Sequence, residues 1–248
     1  MTAPAERVQV VEGPGELAEA AARAAMADLE AAVEANGTAT WVLTGGSTPG
    51  AAYRRLAAHD LRAGVEWDRI RVAMGDERCV PPDDPDSNWG QAAAALLDHV
   101  PVPDHHRLRP QGELGAEAAA DAYEAALSAL PAAPAGVPRL EVVWLGVGED
   151  GHCLSLFPGL PEVEVSDRLV VPVHDSPKPP PDRVSLTLAA LAGTERLLVL
   201  AAGPAKAGPV ARARAGDDRL PVTRAVAAVR SVGGSVTWLL DRAAAAAS

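Results

Sequence analysis

The sequence predicts an α/β protein, a Rossmann-like, mostly parallel sheet with helices on both faces. Two observations carry that prediction. Short β-branched or apolar runs alternate with alanine-rich helical stretches almost throughout, the rhythm of parallel crossovers. Several of those runs lead straight into glycines, hydroxyls or charges, as expected where ligand loops gather at the carboxyl ends of parallel strands.

In chain order, residues 8–11 read as the first strand and 16–35 as a long helix stopped by Asn36-Gly37. Residues 40–44 and 69–74 read as strands, with a helix at 51–58 between them. Helices are expected at 89–99 and 116–130, and a proline-rich linker at 131–138. Further strands are expected at 140–145, 169–173, 197–201 and 236–240, and the alanine tail from 243 is expected to fray. Because strands continue on both sides of the proline-rich stretch, residues 1–248 are expected to form a single domain.

Composition excludes several classes. The chain has 248 residues, enough to bury roughly 70–75% of its unfolded surface without metal or disulfide staples. Its 33 acidic and 22 basic residues give a net charge of −11, which argues against general nucleic-acid binding. No run of about 18 apolar residues offers a membrane span, and residues 1–11 lack the pattern of a secretory leader. The two cysteines, Cys79 and Cys153, are too few for a disulfide scaffold, so a cytoplasmic location is expected. Rare residue types are also informative. Lys178 and Lys206 are the only lysines, Phe157 the only phenylalanine, Ile70 the only isoleucine, and Asn36 and Asn88 the only asparagines.

Five segments carry chemistry. Thr44-Gly45-Gly46-Ser47-Thr48-Pro49 follows a strand and precedes a helix. Its glycines admit an anion to the backbone, its hydroxyls donate, and the helix N-terminus adds unpaired N–H groups. Ser47 or Thr48 as a plain helix cap is compatible with that role. Asp76-Glu77-Arg78 follows the next strand, offering carboxylates as base or orienter and a guanidinium to hold an anion or polarise a carbonyl. The segment Gly146-Val147-Gly148-Glu149-Asp150-Gly151-His152 also follows a strand. Its glycine spacing alone is a weak dinucleotide signal. More telling is Asp150 two residues before His152, a pair that can position and tune a proton-transferring imidazole. Last, Ser176-Pro177-Lys178-Pro179-Pro180-Pro181-Asp182-Arg183 presents two cations on a stiff loop, and Gly203-Pro204-Ala205-Lys206 sets a lysine between a strand and a helix, placed to reach a phosphate.

Taken together, these motifs resemble the 6-phosphogluconolactonases. The shared signals are Gly45-Gly46-Ser47-Thr48-Pro49, Asp76-Glu77-Arg78 with Val80-Pro81 and Ser87-Asn88, Asp150-Gly151-His152 with Ser155-Leu156-Phe157-Pro158, and Ser176-Pro177-Lys178-Pro179-Pro180 with Arg183. One departure is Cys153-Leu154 where the family usually has Thr-Ala. The resemblance implies hydrolysis of 6-phospho-D-glucono-1,5-lactone, with no cofactor and no metal. It implies His152 as the base, Asp150 or Asp76 orienting it, and Arg78 at the developing oxyanion. Gly45, Gly46, Ser47, Thr48, Lys178, Arg183 and Lys206 are then the substrate and phosphate contacts. The expected partner is a small sugar-phosphate lactone rather than nucleic acid or membrane, and the expected state is a monomer or small homo-oligomer. Alternative readings are a glucosamine-6-phosphate deaminase or isomerase of the same fold, or a non-catalytic sugar-phosphate sensor. The deaminases carry a glutamate where Phe157 stands here. A nicotinamide-dependent oxidoreductase would rest only on the Gly146–Gly151 spacing.

Overall fold

A computed structural model describes residues 6–247. Seven parallel strands form the central sheet. In chain order they are β1 (Glu6–Val11), β2 (Ala39–Leu43), β3 (Ile70–Met74), then β5 (Arg107–Leu108), β6 (Leu140–Gly146), β9 (Thr194–Ala201) and β10 (Ser235–Asp241). Their spatial order is β1-β10-β9-β6-β2-β3-β5. The three remaining strands, β4 (Asp76–Arg78), β7 (Val170–Val173) and β8 (Arg183–Leu186), pair antiparallel in a small separate sheet.

Alternation along each strand fills two cores. Trp41, Leu43, Val142, Trp144, Leu198 and Leu200 face one side, packing against α1 (Pro14–Asn36), α2 (Ser47–Leu56), α3 (His59–Arg62) and α4 (Asn88–Ala95). Val42, Val143, Leu145, Leu197 and Val199 face the other. There they meet α5 (Ala116–Ser128), α6 (Ala207–Arg214) and α7 (Pro221–Ser231). Burial on both faces explains why the strands read as unbroken apolar runs rather than alternating ones. Trp41, Tyr53 and Trp144 form one aromatic cluster, with Tyr53 stacked on Trp144 at 5.4 Å and Trp41 edge-on to Trp144 at 5.1 Å.

Several expectations need correction. The second helix begins at Ser47, not 51, so both loop hydroxyls lie in its first turn. The helix expected over 89–99 stops at Ala95, where Leu96 leaves helical geometry, and a separate tight turn covers Leu97–His99. The strand expected at 169–173 belongs to the small antiparallel sheet rather than the parallel one. Residues 131–138 form a closed loop rather than a linker, joined by Ala133 N to Val137 O and Arg139 N to Pro131 O. The tail is not frayed at Ala244, which is fully buried and donates to Asp241. Helix α7 was not expected, although Val222, Ala225, Val226 and Val229 carry the right three- and four-residue spacing. No helix among the described residues is long and apolar enough to cross a membrane.

Candidate active site

The chain reverses its direction of travel across the sheet at β2: β3 is added on one side of it and β6 on the other. Loops leaving the carboxyl ends of strands flanking such a reversal diverge and leave a crevice. Here that crevice is a cavity of about 320 Å³, lined by the segments after β2, β3, β6 and β9 and by the loop before β8. Its size suits a single sugar phosphate.

Both tyrosines shape this rim. Tyr53 Oη donates to Thr44 O at 2.9 Å and accepts from Thr44 N at 3.0 Å. Tyr123 Oη does the same at Met74, at 2.7 and 2.8 Å. Each supplies a donor and an acceptor where a strand's backbone leaves the sheet ladder. Neither tyrosine carries a local motif, so sequence reasoning missed them.

Beyond Thr44, the N-cap of α2 is Gly46, with φ of 110°, and no side chain caps it. The cap reading of Ser47 and Thr48 therefore fails, while the unfilled N-terminus lines the cavity. Gly45 is required by contact. A Cβ there would lie 1.9 Å from Asn88 Oδ1.

The Asp-Glu-Arg segment divides its labour. Asp76 is buried in the cavity wall, where Ser155 Oγ donates to its Oδ2 at 2.6 Å and Asn88 Nδ2 donates to its carbonyl at 3.0 Å. Glu77 is buried away from the cavity. It accepts from Arg78 N, Ser87 Oγ, Asn88 N and Trp89 N, all within 3.0 Å, and so anchors the start of α4. Burial raises its pKa, and these four donors pull against that rise. Arg78 Nη1 donates to Asp86 O at 2.8 Å, whereas its Nε is buried with no partner among the described residues.

His152 lines the cavity, and its Nδ1 lies 2.5 Å from Asp150 Oδ1. Because a carboxylate only accepts, Nδ1 carries the proton and Nε2 the lone pair. Asp150 also accepts from His152 N at 3.2 Å. Of the two candidate orienters, Asp150 therefore holds the ring, and Asp76 is tied instead to Ser155 and Asn88. Phe157 packs against the imidazole, with ring centroids 4.5 Å apart. Burial lowers the His152 pKa, opposed by Asp150 and helped by Lys178. The turn admits only glycine at 148, where a Cβ would stand 2.0 Å from His152 Nδ1. Cys153 is buried, its thiol pKa driven upward, so it stays protonated and unreactive. Leu154, in contrast, lines the cavity in a left-handed conformation (φ 56°), which costs a non-glycine residue about 1–2 kcal/mol.

Lys178, Arg183 and Lys206 join Arg78 in the wall, and Asp76 is the only carboxylate among the lining residues. Burial lowers the Lys206 pKa, Glu149 opposes that shift and Lys178 adds to it. Asp241 fixes the Lys206 turn, accepting Gly203 N on both carboxylate oxygens at 3.0 Å. Among the described residues, no group of three or more histidine, cysteine or acidic side chains is arranged to hold a metal ion.

The family model "Glucosamine-6-phosphate isomerases/6-phosphogluconolactonase" matches residues 12–238. A Mycobacterium tuberculosis protein named 6-phosphogluconolactonase is 43% identical over 235 residues, covering 93% of each chain. One from Streptomyces coelicolor is 42% identical over 236 residues, covering 92% of this chain and 89% of its own. The solved structure of 6-phosphogluconolactonase from Trypanosoma brucei superposes with a TM-score of 0.86 at 32% identity, covering 98% of both chains.

Proposed function

The chain belongs to the glucosamine-6-phosphate isomerase/6-phosphogluconolactonase family, and we propose that it is a lactonase opening 6-phospho-D-glucono-1,5-lactone to 6-phosphogluconate. The reaction is the hydrolytic step of the oxidative pentose phosphate pathway. The observation that carries this reading is one histidine, hydrogen-bonded to Asp150 through Nδ1, sharing a cavity with four cationic side chains. A neutral imidazole suits proton transfer to and from water, and the cations suit a phosphate dianion.

In the proposed reaction, His152 Nε2 removes a proton from water as the water oxygen adds to the lactone carbonyl carbon. Arg78, whose Nε has no partner among the described residues, steadies the oxyanion. Collapse of the tetrahedral intermediate breaks the bond from that carbon to the ring oxygen, which takes the proton from the imidazolium. Asp150 keeps the ring in one tautomer throughout. The turn from Gly45 to Thr48, with Lys206 and Lys178, holds the phosphate, and Asp76 keeps the wall ordered through Ser155 and Asn88. Phe157 stands beside His152 where a deaminase would need a carboxylate. We further place the protein in the cytoplasm, as a single domain over 1–248 that works as a monomer or small homo-oligomer.

The test compares hydrolysis of phosphorylated and unphosphorylated gluconolactone. His152→Ala is expected to lose about 10²- to 10⁴-fold in kcat, the range of general acid–base help. Lys206→Ala is expected to lose the preference for the phosphorylated lactone. Near-normal turnover in His152→Ala would overturn the mechanism, and an unchanged preference in Lys206→Ala would overturn the phosphate pocket.

A further inference from the structure

Arg183 opens β8 and is paired in register with Arg78 on one side and Val173 on the other. Its side chain is almost completely buried, although it belongs to the cavity wall. Most of its donors are turned away from a substrate. Nη2 donates to Lys178 O at 2.8 Å and Pro179 O at 3.2 Å, and Nε donates to Pro180 O at 3.1 Å. A guanidinium offers about five N–H groups in a rigid plane, and here three of them meet three successive carbonyls of one loop. Those carbonyls need outside partners, because Pro179, Pro180 and Pro181 have no N–H with which to build a local ladder. Within the loop, Ser176 N donates to Pro181 O at 2.9 Å, and Ser176 Oγ bonds Lys178 on both its carbonyl and its amide.

The opposite edge of the same guanidinium faces the reacting side of the cavity. Nη1 donates to Ser155 Oγ at 3.4 Å, and Ser155 in turn donates to Asp76. The guanidinium carbon lies 5.6 Å from the Phe157 ring centroid, within cation–π range, and the imidazole of His152 packs against the same ring. One planar group therefore touches both the backbone that carries Lys178 and the residues that back His152.

We propose that Arg183 is a positioning residue, clamping the 178–180 backbone against the Ser155–Phe157 wall and so fixing where Lys178 enters the cavity relative to His152. This rests on the lactonase reading and gives Arg183 a different task from direct phosphate binding. A lysine at 183 keeps the charge but not the fork, since one ammonium cannot reach three carbonyls spread along a loop.

The test has two arms. In the first, kcat and KM for the phosphorylated lactone are measured in wild type, Arg183→Lys, Lys178→Ala and the double variant. If Arg183 acts through Lys178, each single change costs roughly tenfold in kcat/KM, and the pair costs about the same tenfold. A loss near a hundredfold in the double variant, the product of the two, overturns the proposal. The second arm needs no activity. Amide exchange at Ser176 and Lys178 is expected to quicken at least tenfold in Arg183→Lys, with β6 amides unchanged. Unchanged loop amides, or acceleration throughout the chain, overturn the clamp. A wild type without lactonase activity would defeat the functional reading and leave the exchange result to judge the clamp alone.

Discussion

At the scale of single residues, the cavity holds a histidine that is largely shielded from water yet paired with a carboxylate. Desolvation disfavours the imidazolium and outweighs the pull of Asp150, so the balance at His152 favours the neutral ring. The signs of its neighbours give a direct prediction, read by NMR titration of the ring protons with the resonance assigned through His152→Gln. In the free protein the His152 pKa should lie below 6.5. Asp150→Asn should lower it further by removing a favourable negative charge, and Lys178→Ala should raise it by removing a repelling positive one. A value at or above 6.5 in the wild type would contradict the burial argument. The linked stability follows the same sign. A base whose pKa is depressed on folding contributes stability above its unfolded pKa, and loses it as the pH falls through the folded one.

At the scale of elements, the strand-to-helix junctions are held by buried side chains that take the place of missing backbone partners. Glu77 is the clearest, since it gathers four donors from the start of α4 and from its own strand. A buried donor left without an acceptor costs about 1–3 kcal/mol, so Glu77→Ala should cost at least about 3 kcal/mol in all. For a domain of this size that lowers Tm by roughly 6–12 °C, measurable by calorimetry. A fall of less than a degree or two would mean that water replaces the carboxylate without loss. Sequence reading could treat Asp76 and Glu77 only as two candidate acids. Their separation into a cavity wall and a helix anchor comes from alternation along β4, whose successive side chains point opposite ways.

At the scale of the molecule, a chain of net charge −11 concentrates positive groups where five segments converge. Whole-chain charge governs solubility, whereas the field inside a cleft is set by the few charges that line it. The C-terminal tail belongs to this arrangement. Asp241 accepts from Ala244 N at 2.7 Å as well as from Gly203 N, so the tail, the end of β10 and the Lys206 turn share one carboxylate. Deleting residues 243–248 should therefore raise KM for the phosphorylated lactone roughly threefold, the loss of part of one charge-assisted hydrogen bond, with kcat near normal. Steady-state kinetics on the truncated chain checks this, and an unchanged KM would separate the tail from the site.

The sequence by itself determined the parallel α/β class, most of the strands, and the five motifs that the structure gathers at one cavity, the Asp150–His152 pair among them. Each of these is written in local patterns: apolar runs, glycines after strands, and an aspartate two residues before a histidine. Tertiary structure decided what local patterns cannot carry. It chose Asp150 over Asp76 as the partner of His152, because Ser155 and Asn88, distant in sequence, hold Asp76. It turned most of the donors of Arg183 toward the Lys178 loop, through a strand pairing with Arg78 that spans more than a hundred residues of chain. It also brought Tyr53 and Tyr123 to the ends of β2 and β3, where no motif marks them. The physical reason is common to all three. A hydrogen-bond partner is fixed by which strands become neighbours, and that order is set by the packing of the whole sheet rather than by the residues on either side.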